Sequence, residues 1–112
     1  MERKVAIPIS QGKLSTHFGQ TEGYMVFSVK DNRVIAEEFA IPPPHEYGSH
    51  PRFLKDIGCN VVIAGGMGIK AQALMREFGI DTIIGVEMLP VADLIDQYLQ
   101  GKLQSGPNRC DH

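Results

Sequence analysis

The stretch NVVIAGGMG at positions 60–68 decides the fold of this chain. Its apolar residues 61–64 have the length and composition typical of a buried strand, and the glycines that follow predict a tight turn. A helical pattern then covers residues 69–78 and ends at Gly79, and residues 81–86 predict another strand. A strand, a helix and a strand in this order predict two parallel strands joined by a right-handed crossover.

Further elements are predicted on both sides of this unit. They are strands at residues 5–9, 24–29 and 33–41, and helices at residues 49–57 and 90–99. The two strands of the middle pair are separated by the polar turn segment 30–32, which favours an antiparallel hairpin. The alternating second half favours parallel strands covered by helices. The sequence therefore predicts an α/β fold in three layers, with a mixed five-stranded sheet and about three helices.

Size and composition place the chain among ordinary globular domains. It has 112 residues, of which 43% are hydrophobic and 21% charged, and a formal net charge of −2. We expect one domain over residues 1–101 and a polar, flexible C-terminal tail over residues 102–112. The charge gives no basic stripe for nucleic acid, and no apolar stretch is long enough to cross a membrane. Without a signal-peptide pattern at its start, the chain is expected to be cytoplasmic, with Cys59 and Cys110 reduced.

Three histidines lie in predicted loops, beside glycine or proline and outside any apolar run. They are His17, His45 and His50. Neutral imidazole is a common ligand for iron and other borderline metals, so all three are candidate metal ligands and His17 is the favoured one. The alternative is that each is an ordinary surface or hydrogen-bonded histidine.

The glycine turn at residues 65–68 is a candidate site for a negatively charged group. Gly65, Gly66, Met67 and Gly68 precede a predicted helix, whose first N–H groups attract anions. Two alternatives stay open here. The glycines can simply permit a tight turn with close helix–strand packing, or residues 66–71 can act as a G-x-G-x-x-A dinucleotide fingerprint, with an acidic residue about 20 positions on.

The last residues of the chain combine three kinds of metal ligand. Cys110, Asp111 and His112 follow Gly106-Pro107, which predicts a break between the tail and the last helix. Thiolate, carboxylate and imidazole together can chelate a metal, so Cys110 and His112 are candidate ligands on a mobile capture arm. The alternative is a tail that binds nothing. Cys59 precedes a buried strand and is interpreted as a small core residue.

Taken together, several of these segments resemble the family of dinitrogenase iron–molybdenum cofactor biosynthesis domains. The similarity lies in residues 17–19, 45–51, 62–68 with Ala71, 78–80 and 108–112, and it extends over nearly the whole chain. The resemblance implies a ribonuclease-H-like motif and a non-catalytic carrier of an iron–sulfur or iron–molybdenum cluster, or of its precursor. It also implies metallocofactor donor and acceptor proteins as partners, and we expect a monomer or weak homodimer.

Two other classes of function remain possible from the sequence. The first is a small nucleotide- or anion-binding α/β module, enzymatic or regulatory, that uses the Gly65–Gly68 turn. The second is an interaction domain that binds no ligand. No nucleophile with its own base is visible in the sequence, so we predict no catalytic residues.

Overall fold

A mixed β-sheet forms the centre of the molecule in the computed structural model, which describes residues 2–15, 21–43 and 49–106. In chain order its elements are β1 (Glu2–Ser10), β2 (Lys13–Leu14), β3 (Gly23–Lys30), β4 (Arg33–Ala40), α1 (Ser49–Asp56), β5 (Val61–Ala64), α2 (Ile69–Glu77), β6 (Asp81–Ile84) and α3 (Val91–Leu99). The sheet order is β4-β3-β1-β5-β6, with the short β2 paired to β1. Strands β1, β5 and β6 are parallel, whereas β3 is antiparallel to both of its neighbours.

The two faces of the sheet carry separate apolar cores, because side chains alternate along each strand. Val5 and Ile7 of β1 point to the same side as Leu94 and Ile95 of α3. Ala6 of β1 belongs to the opposite core, with Leu54 of α1 and Met75 of α2. The protein is therefore a three-layer α/β structure, as the sequence predicts, and the structure places α1 and α2 on one face and α3 on the other.

The hairpin of β3 and β4 is formed by local turn chemistry. Asp31 and Asn32 have φ angles of 53° and 63°. Two consecutive residues with positive φ form the tight two-residue turn whose twist matches that of the flanking strands. At the other end of the hairpin, Phe39 lies across Gly23, where an added Cβ would lie 2.5 Å from the ring. An aromatic side chain thus covers a glycine of the neighbouring strand, as is typical of sheet edges.

The predicted elements agree with the observed ones, with differences at their ends and one omission. The segment between Ser10 and Gly23, predicted as a loop, contains β2, which pairs Leu14 with Ile9. The sheet therefore has six strands when this two-residue strand is counted. Within the described ranges, no helix is long and apolar enough to span a membrane.

The segment after α3 follows the surface of the domain. Leu103 packs against the α3-side core, and the Gly106 N–H donates a 2.9 Å hydrogen bond to the Ile84 carbonyl. The predicted break at Gly106-Pro107 concerns the last helix and stays a prediction, since the contact of Gly106 is with β6. The flexibility predicted for residues 102–112 stays a prediction, and residues 107–112 lie outside the described part of the chain.

Candidate functional site

The carboxyl ends of β1, β5 and β6 meet at one edge of the sheet, because these three strands are parallel. The turn Gly65–Gly68 follows β5 there, and Gly85 follows β6. The Gly85 N–H donates a 2.9 Å hydrogen bond to the carbonyl of Ala64, which fixes the end of β6 beside the start of the turn. In open α/β sheets this edge is where ligands bind.

The glycine turn lies at this edge of the sheet, and its one large side chain points inward. Gly65 and Gly66 are buried, and the Met67 side chain is fully buried in the core shared with α1 and α2. The Gln72 amide donates a 2.8 Å hydrogen bond to the Met67 carbonyl and so ties the turn to α2. Met67 is 0% exposed, so its thioether belongs to the core and its backbone lies below the surface.

Gly68 is the N-cap of α2, and its conformation is an ordinary extended one. Its φ is −65° and its ψ is 158°; among the described residues no side chain caps the helix, and an added Cβ would have no neighbour within 4 Å. The first turn of α2 carries no acidic residue. Neither a left-handed conformation nor close packing therefore requires glycine at position 68. At Gly68 the described structure therefore does not support the alternative of close helix–strand packing, and the role of the turn in binding stays a prediction.

His50 is the one predicted metal ligand that the described ranges include. It lies in the first turn of α1 and is 3% exposed, and its Nδ1 is 2.7 Å from the hydroxyl of the fully buried Tyr24. The two rings also meet edge to face at 5.7 Å, and Phe53 lies against Tyr24. From the sequence, His50 is treated as a loop residue beside the start of the predicted helix 49–57, but it is a buried, hydrogen-bonded residue in the first turn of α1. Its role as a ligand stays a prediction.

The other predicted ligands, His17, His45, Cys110 and His112, lie outside the described residues. Among residues 2–15, 21–43 and 49–106, no three His, Cys, Asp or Glu side chains come together as a metal site. A histidine-centred metal site is therefore a matter for experiment.

Cys59 has the properties of a core thiol. It is 6% exposed, and its Sγ lies 3.1 Å from the Val61 carbonyl. Burial raises the pKa of this thiol from 9.0 to about 11. Because only the thiolate binds metals and reacts with electrophiles, Cys59 is protected from both. The structure agrees with the interpretation of Cys59 as a small core residue.

Two residues of this region cannot be identified from the sequence. Tyr24, the partner of His50, is a strand residue 26 positions away, and nothing local to either residue marks the pair. Gly106 has the pattern of a break, yet it contacts β6. An isolated glycine after the last helix predicts a turn, but it does not indicate which strand the glycine contacts.

Comparison with known proteins places this geometry in a family. The family model for the dinitrogenase iron–molybdenum cofactor matches residues 1–101. The uncharacterized protein MJ0580 of Methanocaldococcus jannaschii is 29% identical over 106 residues, which cover 90% of this chain and 89% of MJ0580.

Two solved structures share the fold over nearly their whole length. The crystal structure of PH0822 has a TM-score of 0.87 and 28% identity, with 97% of this chain and 99% of PH0822 covered. The apo form of the orange protein from Desulfovibrio gigas has a TM-score of 0.75 and 22% identity, with 95% and 94% covered. At that identity the second structure bears on the fold alone.

Proposed function

Because this chain belongs to the dinitrogenase iron–molybdenum cofactor family, we propose that it is a non-catalytic carrier of an iron–sulfur or iron–molybdenum cluster, or of its precursor. The observation that carries the proposal is the family match over residues 1–101. Membership relates the chain to biosynthesis of that cofactor. The cluster is cargo that the protein takes up and releases in metallocofactor assembly.

The N-terminus of α2 is the part of the described structure that best suits such a cargo. Clusters of this kind carry negative charge, and an open helix N-terminus without a side-chain cap offers N–H groups and a positive dipole end. Ile69, the first residue of the helix, is 71% exposed, so this end of α2 is accessible. The turn Gly65–Gly68 would lie against cluster sulfides, or an organic acid bound to the cluster, with the contact at the half-buried Gly68 because Gly65 and Gly66 are buried.

Histidine and cysteine side chains would supply the metal–ligand bonds. We propose His17 as the main ligand, with His45 or His50 beside it and with Cys110 and His112 of the tail closing over the cargo. Neutral imidazole binds iron without displacing cluster sulfides, which suits a protein that must release what it binds. Proton competition gives a test, since affinity should fall from about pH 8 to about pH 5.5, across the ordinary titration range of imidazole.

We further propose that cofactor donor and acceptor proteins in the cytoplasm are the partners. The two helical layers of the described structure differ in exposed charge. The helices α1 and α2 carry four exposed cations, Arg52, Lys55, Lys70 and Arg76, and two exposed carboxylates, Asp56 and Glu77, whereas α3 carries the carboxylates Asp93 and Asp96 and no cation. Arg52 and Lys55 both lie over the Phe78 ring, at 5.7 and 4.9 Å from its centroid. An acidic partner surface would therefore favour the α1–α2 layer.

Anaerobic reconstitution tests the carrier function directly. The protein is mixed with ferrous iron and sulfide, with and without molybdate, then desalted and examined by ultraviolet–visible spectroscopy. We expect broad visible absorbance that stays with the protein. If absorbance is absent and a nucleotide instead raises the melting temperature, the nucleotide-binding alternative is correct. If neither signal appears, the chain is an interaction domain without a ligand.

A matched pair of variants on α2 locates the cargo. Gly68→Val places a branched side chain into the open space before the helix, whereas Ala73→Val adds similar bulk at an exposed position one turn further along. We expect Gly68→Val to reduce uptake at least about threefold with the fold intact, and Ala73→Val to leave uptake unchanged. Equal uptake by the two variants would remove the glycine turn from the binding site.

A further inference from the structure

Strand β4 is one edge of the sheet, and it carries most of the exposed apolar side chains of the described structure. Among the described strands it pairs with β3 alone, and all of its residues except Ala40 are exposed. Four of the six large apolar side chains that are exposed in the described ranges lie on β4 or directly after it: Val34, Ile35, Phe39 and Ile41. The opposite edge, β6, is only four residues long, and its Ile84 carbonyl already accepts the Gly106 N–H. Strand β4 is therefore the edge at which a further strand can add.

The hairpin turn determines which backbone groups of β4 point away from β3. Lys30 and Arg33 flank the two-residue turn, so this pair is hydrogen-bonded. Hydrogen-bonded and non-hydrogen-bonded pairs alternate along an antiparallel ladder, and by this alternation Val34 and Glu37 are in non-hydrogen-bonded pairs with β3. Between these two residues the register shifts, and Ile35 is the extra residue of the bulge. The N–H and C=O groups of Val34 and Glu37 therefore point outward, one residue on each side of the bulge.

Arg33 and Glu38 lie on the same face of the sheet, on opposite sides of the bulge. Glu38 pairs with Val26, whose side chain belongs to the core shared with α1 and α2. Arg33 pairs with Lys30, which is four positions from Val26 on β3 and hence on the same face. Both β4 side chains are exposed, and Lys30 directly opposite Arg33 repels it. One face of β4 therefore carries a cationic end and an anionic end.

We propose that β4 pairs with β4 of a second copy of this chain in antiparallel orientation, so that the two sheets join across a two-fold axis at the bulge. In this register the outward backbone groups of Val34 meet those of Glu37 of the second copy. Arg33 then lies opposite Glu38 at both ends of the interface, where opposite charges attract. A parallel pair in register would instead place each glutamate beside its own counterpart.

Charges on an edge strand ordinarily prevent association, but here their positions select one register. The two-fold axis also brings together the Ile35 side chains, which are 53% exposed, and places Phe39 beside the hairpin turn of the second copy. A two-fold contact uses the same strand of both copies and closes at the dimer. Because the interface consists of one short strand from each copy, we expect a weak, reversible dimer.

Sedimentation equilibrium of the metal-free, full-length protein tests this proposal, with a reducing agent present so that no disulfide forms. The chain has a mass of 12.3 kDa. Mass action should raise the weight-average mass from near this value at about 10 μM protein to at least about 1.5 times this value at about 1 mM.

Charge reversal tests the register. Arg33→Glu and Glu38→Arg each place like charges at both ends of the interface and should raise the dimer Kd at least about tenfold. The double variant restores opposite charges and should return the Kd to within about threefold of the wild type. Arg76→Glu reverses an exposed cation on α2, away from β4, and should leave the Kd unchanged. All three positions are exposed, so the melting temperature of each variant should stay close to that of the wild type.

The outcomes separate this inference from the proposed function, which it goes beyond. A wild-type mass that stays near 12.3 kDa at about 1 mM would overturn the proposal. Failure of the double variant to restore association, or a loss of association in Arg76→Glu, would overturn the pairing through β4. Failure of cluster reconstitution would contradict only the carrier function, since this association requires no metal.

Discussion

Replacing His50 with alanine tests whether this histidine supports the fold or binds the cargo. The change removes an imidazole that is 3% exposed and 2.7 Å from the hydroxyl of Tyr24. A buried hydrogen bond contributes about 1 kcal/mol, and the space left by a buried ring adds further destabilisation. We expect a total loss of about 2–4 kcal/mol in the free energy of unfolding.

Urea denaturation measures this loss, and Tyr24→Phe provides the matched control. A loss of about 3 kcal/mol lowers the midpoint by roughly 1.5 M at an m-value near 2 kcal/mol/M. Tyr24→Phe keeps the ring contacts with His50 and Phe53 and removes only the hydroxyl, so we expect a loss of about 1 kcal/mol. If Tyr24 orients His50 as a ligand, this variant should also bind the cluster less tightly.

The comparison with His17 decides between the two roles. His17→Ala should leave stability nearly unchanged and weaken cluster binding more than His50→Ala does. A loss below about 0.5 kcal/mol in His50→Ala, together with abolished cluster uptake, would refute the structural role of His50 and make it a ligand.

The described residues support three further predictions. Burial raises the Cys59 pKa to about 11, so the unfolded chain loses the thiol proton first as the pH rises above 9, and the free energy of unfolding should fall by about 1.4 kcal/mol between pH 8 and pH 10. Denaturation of the wild type and of Cys59→Ala across this range isolates the effect of the thiol. Identical pH profiles of the two proteins would contradict the prediction. Gly23→Ala should cost about 1–3 kcal/mol in thermal denaturation, because the new Cβ would lie 2.8 Å from the Ala40 carbonyl oxygen and against the Phe39 ring. Gly68→Ala, whose Cβ meets no described atom within 4 Å, should cost under about 1 kcal/mol. Truncation after Gly106 should change stability by no more than roughly 0.5 kcal/mol and speed the loss of bound cluster to a chelator, and unchanged release would leave Cys110 and His112 without a role in retention.

Local patterns in the sequence are enough to predict the layers of the fold. Three local features determine the structure of their own neighbourhood: the apolar run at residues 61–64, the helical spacing of residues 91–99 and the glycines that end the helices. Their effects on backbone conformation and burial are therefore visible without knowledge of distant contacts. The core position of Cys59 and the turn before α2 are likewise predicted from neighbouring residues alone. The short strand β2 escapes prediction because two residues carry no periodic signal.

Contacts between distant segments decide what these elements do. No local pattern indicates that the packing of α1 against β3 buries His50 beside Tyr24. Nor does one indicate that β6 supplies the carbonyl that holds Gly106. The conformation of Gly68 also depends on how α2 docks on the sheet, since glycine itself permits many conformations. Such pairings depend on where strands and helices meet in space, and this is why the sequence identified the candidate residues and the tertiary structure determined their surroundings.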